Sequence, residues 1–272
     1  MYRPITGAPF LNNSSYREVL PCEALRPYIR CVWVTEKSAP NQAEKPSPRI
    51  VIPDTCMDII FDINPDRSRL SGSFCAIDDR SYNIGGAEKR AFSETFGIRF
   101  YAWTAVLFSE RDFTGQKNRA FDIGEFSGRL KAGLEPLLLR YPTMGERIAA
   151  AEAVLLKALC TDRINSDLLN AVYYMLKTDG RAKISDIASY TALSERQLER
   201  VFSYNTRVSP KALCSLLRYQ LLWQDMVMSP RFDILDAVEK YGYADQSHLL
   251  NDFRRRHMMT PREAVEYAAK TR

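Results

Sequence analysis

Histidine is scarce in this chain, and its scarcity removes several chemistries at once. The 272 residues hold two, His248 and His257, both close to the C-terminus. The histidine cluster of a metal-dependent enzyme therefore has no source in the first two hundred residues. No H-E-x-x-H, G-x-S-x-G or P-loop glycine run occurs, so a zincin, a serine hydrolase and a nucleotide hydrolase would each lack their usual parts. The expectation is a protein without enzymatic activity, cofactor or metal. Six cysteines stand at 22, 31, 56, 75, 160 and 214 without a C-x-x-C pair, which argues against a zinc ribbon or a dithiol redox motif and for reduced, mostly buried thiols. No apolar run approaches the roughly 20 residues that span a bilayer. The opening MYRPITGAPF also lacks the basic and then apolar order of a secretory leader. A cytoplasmic protein that makes no membrane contact is expected.

What is present suits a folded, two-domain chain. The sequence is 46% hydrophobic and 26% charged, which is ordinary globular usage and leaves a disordered or fibrous reading without support. Its length exceeds the roughly 100–200 residues of one domain. The net charge of +5 is unevenly shared, because residues 180–272 carry 15 Lys and Arg against 11 Asp and Glu. A basic C-terminal end agrees with nucleic-acid binding if a motif places it.

From about residue 16 to 126 the chain shows short β-rich runs: IRCVWV, RIVIP, CMDIIFDI and SETFGIRFYAWTAVLF. Pro46, Pro48, Pro53, Asn64-Pro65 and Gly85-Gly86 punctuate them. This spacing predicts a β-rich barrel or sandwich. Within the last run, alternation puts Ile98 and Phe100 on one face and Arg99, Tyr101 and Trp103 on the other. The pattern turns helical near 130, in LKAGLEPLLLR and then TMGERIAAAEAVLLKALC, where Thr143 and Glu146 have the spacing of a capping box. The stripe of Ile148, Ala151, Leu155 and Ala158/Leu159 is open to two partners, a second subunit or the neighbouring domain. These changes divide the chain into a β-rich domain over 1–130, a helical linker over 131–163 and an all-α domain over 164–272.

The all-α region contains an internal repeat. Leu198-x-x-x-Phe202 is followed eight residues later by Pro210, with Ser209 before it; Leu249-x-x-x-Phe253 is followed eight residues later by Pro261, with Thr260 before it. Upstream of each lies a short helix and a tight turn: Ile184, Ile187 and Ala188 then Ala192-Leu193 in the first copy, Ile234, Ala237 and Val238 then Gly242 in the second. Ser194 and Asp245 are placed to cap the following helices. Between the copies runs PKALCSLLRYQLLWQDMVM, about 28 Å of helix at 1.5 Å per residue. Two helix-turn-helix units so joined suit successive major-groove turns, about 34 Å apart.

This region, about 165–268 with DQSHLLNDFRRRHMMTPREA near its end, resembles the AraC/XylS family of bacterial transcription regulators. The resemblance implies an α+β multidomain fold, two helix-turn-helix motifs joined by a long helix, and double-stranded DNA as partner. It implies base-facing roles for Arg196, Glu199 and Arg200 in the first recognition helix and for Gln246, Ser247, His248 and Asn251 in the second. Arginine suits guanine O6/N7, glutamate suits cytosine N4, and glutamine or asparagine suits adenine. Arg218 falls where the family has an arginine that touches phosphate or braces the two units, and Arg254 and Arg255 are phosphate candidates. The chain departs from the pattern at Ala192, Arg207 and Met258, where glycine is common, and at Val238, where a small alanine is usual. If Arg207 and Met258 take left-handed backbone angles, each costs about 1 kcal/mol.

The stretch YREVLPCEALRPYIRCVWV with RIVIPDTCMDIIFDI is similar to the cupin-like sensing domain of one branch of that family. The resemblance implies a domain that binds a small-molecule effector, forms a homodimer, or both, with RNA polymerase as a further partner if the protein activates. Trp33, Phe61, Phe100 and Trp103 are candidates to line an effector pocket, and Arg99 is a candidate for an effector carboxylate. The competing reading is ordinary core for the aromatics, solvent exposure for Arg99, and a domain that only dimerises or binds a protein.

Overall fold

The computed structural model describes residues 2, 4, 5, 16–36, 49–64, 68–84, 94–110, 117–229 and 231–270. The turn signals at Pro46, Pro48, Pro65 and Gly85-Gly86 lie outside them. In the N-terminal part, β1 (Tyr16–Val19), β2 (Ile29–Glu36), β4 (Cys56–Ile63), β5 (Leu70–Cys75), β7 (Glu94–Tyr101) and β8 (Ala120–Asp122) form one antiparallel sheet in the order β1-β2-β7-β4-β5-β8. β3 (Arg49–Val51) and β6 (Tyr82–Ile84) pair separately.

β7 is central, and its register fixes the two faces. Ile98 stands opposite Val32 and Ile59, and Phe96 opposite Val34 and Phe61. Because side chains alternate, these residues and Phe100 share one face. It closes against α1 (Ile123–Phe126) and α2 (Gly128–Arg140) in a single core. The other face carries Cys31, Trp33, Asp58 and Arg99. Here Trp33 lies flat across β7: a Cβ on Gly97 would fall 2.0 Å from the indole, so only glycine admits this approach.

α3 (Met144–Ala158) begins with the expected capping box, in which Thr143 N donates to Glu146 at 3.1 Å and Glu146 N donates to Thr143 Oγ1 at 3.4 Å. Its stripe faces inward. Ala151 and Leu155 are fully buried and Ile148 packs on the same core, with α3 lying along α2. Arg147, fully buried, pairs with Glu94 of β7 and donates to the Tyr141 carbonyl at 2.7 Å, fastening α3 to the sheet.

The helices α4 (Ser166–Lys177), α5 (Ile184–Thr191), α6 (Glu195–Asn205), α7 (Pro210–Met228), α8 (Ile234–Lys240), α9 (Gln246–His257) and α10 (Pro261–Lys270) follow. α7 divides between two cores. Leu213, Leu216 and Leu217 belong with α4–α6, whereas Tyr219, Leu222 and Trp223 belong with Leu249 and Phe253 of α9. Ile50 and Ile52 of the β-rich part enter this second core too. Gln220, fully buried, ties the same junction, donating to the Pro53 carbonyl at 2.7 Å and accepting from Ile5 N at 2.9 Å. None of the six cysteines is paired in a disulfide. Among the described residues no helix is long and apolar enough to cross a membrane.

Candidate nucleic-acid interface

Each recognition helix is set up by a tight turn and a cap. α5 stops at Ala192, whose φ of 55° is left-handed, and α6 starts at Ser194, whose hydroxyl accepts from Gln197 N at 3.2 Å. Gln197 answers by accepting from Ser194 N at 2.8 Å, completing a capping box. Leu198 and Phe202 are fully buried, so the helical period leaves Arg196, Glu199 and Arg200 on the exposed face.

The second unit repeats the plan. α8 ends before a turn at Gly242, and Asp245 caps α9 by accepting from His248 N at 2.7 Å. Leu249 and Phe253 are buried, while Gln246, Ser247, His248 and Asn251 are exposed. The His248 ring also has a local task, since its Nδ1 accepts from Ala244 N at 3.3 Å and its edge meets the Tyr243 ring. Arg207 and Met258, which stand where the resemblance makes glycine common, are both left-handed, at φ 60° and 58°.

Arginines stand at the end of α9 and on α7. Arg254 and Arg255 are exposed at the end of α9, where cations are favoured by the helix dipole. Arg255 also pairs with Asp252 at 2.7 Å. Burial alone would raise the Asp252 carboxyl, but the charges of Arg256 and Arg255 and the bonds from Arg255 and Tyr243 hold it below the usual range. Arg218 of α7 is half-buried, with its guanidinium 4.5 Å from the centre of the Tyr243 ring. That contact joins the connecting helix to the second turn.

Residues 187–266 match a family described as a helix-turn-helix domain, and residues 17–122 match a domain of unknown function (DUF6597). The C-terminal unit is an AraC-type helix-turn-helix domain. This AraC-type domain, a DNA-binding unit of transcription regulators, follows an antiparallel β-sheet domain. Among solved structures, the chain is similar to a transcriptional regulator from Chromobacterium violaceum with an AraC-type DNA-binding domain, at 27% identity, covering 38% of this chain and 93% of that one with a TM-score of 0.36. A DNA-binding transcriptional dual regulator from Escherichia coli matches at 23% identity, 40% and 96% coverage and a TM-score of 0.34. ToxT from Vibrio cholerae, solved with unsaturated fatty acid bound, matches at 12% identity, 93% and 96% coverage and a TM-score of 0.40. A comparison with curated proteins gives no match.

The five candidate effector residues occupy three places. Trp33 and Arg99 meet on one carboxylate: Trp33 Nε1 donates to Asp58 Oδ1 at 2.7 Å, and Arg99 Nε stands 3.0 Å from the same oxygen. Phe61 and Phe100 lie on the opposite face, fully buried, with Phe100 against Phe108. Trp103 stacks on Tyr101 and lines a cleft of about 190 Å³ with Tyr28, Leu107, Leu168 and Asn205, where the β-rich part meets α4 and α6. A second, more polar cleft of about 460 Å³ lies between Ser109, Arg129, Lys157 and Arg163. Beside the Arg99 cluster, burial pushes the Asp54 carboxyl up to about 6 and that of Asp78 up to about 7.

Sequence reasoning did not single out Asp58, Gln220 or Arg256. An acid inside the apolar run CMDIIFDI was a signal for a buried partner. Asp252 and Arg256, one helical turn apart, were a signal for an internal pair.

Proposed function

We propose that the chain is a sequence-specific DNA-binding transcription regulator in which α6 and α9 enter successive major-groove turns. The observation that carries this reading is the pair of capped helices, each with an exposed polar face, mounted on the single helix α7. In this reading Arg196, Glu199 and Arg200 read bases in one half of the site, and Gln246, Ser247, His248 and Asn251 in the other. Arg254 and Arg255 meet phosphate. The stacking of Arg218 on Tyr243 supports a bracing role for it.

The β-rich domain, which we read as cupin-like, supplies the input. A small molecule in the cleft beside Trp103 is one form of that input, and it would lie where both domains contribute walls. Homodimer or protein contact is the second reading. It is favoured by the closed packing of Phe61 and Phe100 and by the pairing of Arg99 with Asp58, which leaves that arginine committed within its own sheet. RNA polymerase is a partner in either case if the protein activates, and the working location is the cytoplasm.

The test of DNA reading is repeated selection of duplexes from a random pool by the full-length chain. Enrichment of a site with two halves one helical turn apart is expected. Enrichment of no sequence sinks the reading. Repeating the selection with metabolite panels separates the two forms of input: a change in affinity supports an effector, and its absence together with a stable dimer supports the second reading.

A further inference from the structure

Three consecutive arginines stand in the last turn of α9, and the third differs from the other two. Arg254 and Arg255 are exposed, whereas Arg256 is 3% exposed. Its Nε meets Asp252 Oδ1 at 3.3 Å, one turn earlier in the same helix. One terminal nitrogen donates to Ser215 Oγ of α7 at 2.7 Å, and the other reaches the Asp79 carbonyl of the β-rich domain at 3.5 Å. The guanidinium lies over the Tyr219 ring, 5.8 Å from its centre. The main chain joins in, because the Arg256 carbonyl accepts from Ser81 N at 3.1 Å and also from the Ser81 hydroxyl. That carbonyl is among the last of α9, which have no partner inside the helix. Asp252 in turn accepts from the Tyr243 hydroxyl at 3.1 Å.

Three parts of the molecule therefore converge on one side chain, α7, α9 itself and Asp79 of the segment 79–81; the turn before α9 joins through Asp252, and Ser81 through the main chain. A planar fork of fixed donors can hold several acceptors at set angles, which a lysine ammonium does not reproduce. A buried charge is costly unless paired, and its best-attested use is to fix a register.

We propose that Arg256 is a positioning residue, which contacts no DNA and sets the angle of the second recognition helix against both α7 and the β-rich domain. The inference rests on the DNA-binding reading above. It makes the run of three arginines functionally divided, with two aimed outward and one holding the helix that carries them. It also gives the β-rich domain a direct mechanical hold on the second unit.

The test uses the full-length chain, a duplex it has enriched from a random pool, and two versions of that duplex with one half scrambled. Arg256→Lys is expected to lose about tenfold on the intact duplex and Ser81→Ala about threefold, the scale of one or two hydrogen bonds. Both should bind the duplex scrambled in the α9 half within about twofold of the unaltered chain, since the α6 half is a separate site. Amide exchange supplies a readout without DNA: Arg256→Lys should speed exchange over 246–257 and leave 195–205 protected. Equal losses on all three duplexes would overturn the proposal, as would unchanged affinity with unchanged exchange over 246–257. Should Arg256→Lys fail to fold, Ser81→Ala decides by the same split. An unaltered chain that enriches no duplex sinks the DNA reading and this role with it, an outcome seen before any variant is made.

Discussion

Arg99 directs its charge at Asp58, with Nε 3.0 Å from Oδ1, and the two side chains are 7% and 13% exposed. Asp58→Ala would leave the guanidinium buried without that partner, and removing one member of a buried pair costs about 3–5 kcal/mol. It would also free the Trp33 indole from its acceptor. Urea unfolding followed by tryptophan fluorescence should show the loss. A change below about 1 kcal/mol would mean that the pair behaves like a surface ion pair.

Arg200 stands on the open face of α6, on the helix whose start is fixed by Ser194 and Gln197. Arg200→Ala should weaken specific binding by about 1–3 kcal/mol and relax base preference at one or two adjacent positions. The measurement is selection repeated with the variant. Equal loss on random and selected duplexes would remove Arg200 from base reading and leave it a phosphate contact.

Two buried groups give opposite pH dependences. Burial pushes the His257 imidazole down to about 3, so it stays neutral in the folded chain while the unfolded chain takes up a proton near 6.5. Its contribution to stability is complete above pH 6.5 and is lost as pH falls toward 3. Asp54, pushed up to about 6 by burial with the Asp58 charge adding to it, stays protonated where the unfolded carboxyl ionises, near 3.9. Its contribution is complete at low pH and is lost as pH rises from about 4 through 6. His257→Gln should flatten the acid limb of a melting-temperature profile, and Asp54→Asn the rise of instability toward neutral pH. Identical profiles for His257→Gln and the unaltered chain would place the imidazole in solvent contact.

Backbone conformation predicts substitutions of opposite sign. Met258 is left-handed and 59% exposed, so Met258→Gly should stabilise by about 1 kcal/mol with little burial forgone. Gly97→Ala should destabilise by about 1–3 kcal/mol or more, because the added methyl needs the space of the Trp33 indole. Thermal melting of both variants checks the pair, and a rise for Gly97→Ala would contradict the packing described.

The recognition helices were legible in the sequence because their determinants are local. A cap, a turn and two buried positions per helix fall within about twenty residues, and the family resemblance, by marking glycine as common at Arg207 and Met258, raised the left-handed angles found there. Strand alternation had also separated Arg99 from Phe100, but its extension to Trp103 fails, because β7 ends at Tyr101 and Trp103 lies in the turn beyond it. What was not legible depends on distant chain. β5, LSGSFC, has little apolar character and is recruited by pairing with β4. The Asp252 spacing was a local hint to which of three identical arginines pairs internally, but the acceptors that bury its side chain, Ser215 and the Asp79 carbonyl, lie 41 and 177 residues away. The five candidate effector residues were grouped by chemical type, and register then distributed them over two faces and a turn.

Gln220 imposes an order on assembly. It holds Ile5, which lies 215 residues earlier in the chain. A ribosome adding roughly 5–20 residues per second makes Ile5 some 10–40 seconds before its acceptor exists. Throughout that interval the segment around Ile5 waits for α7, and the junction closes only once that helix has been made.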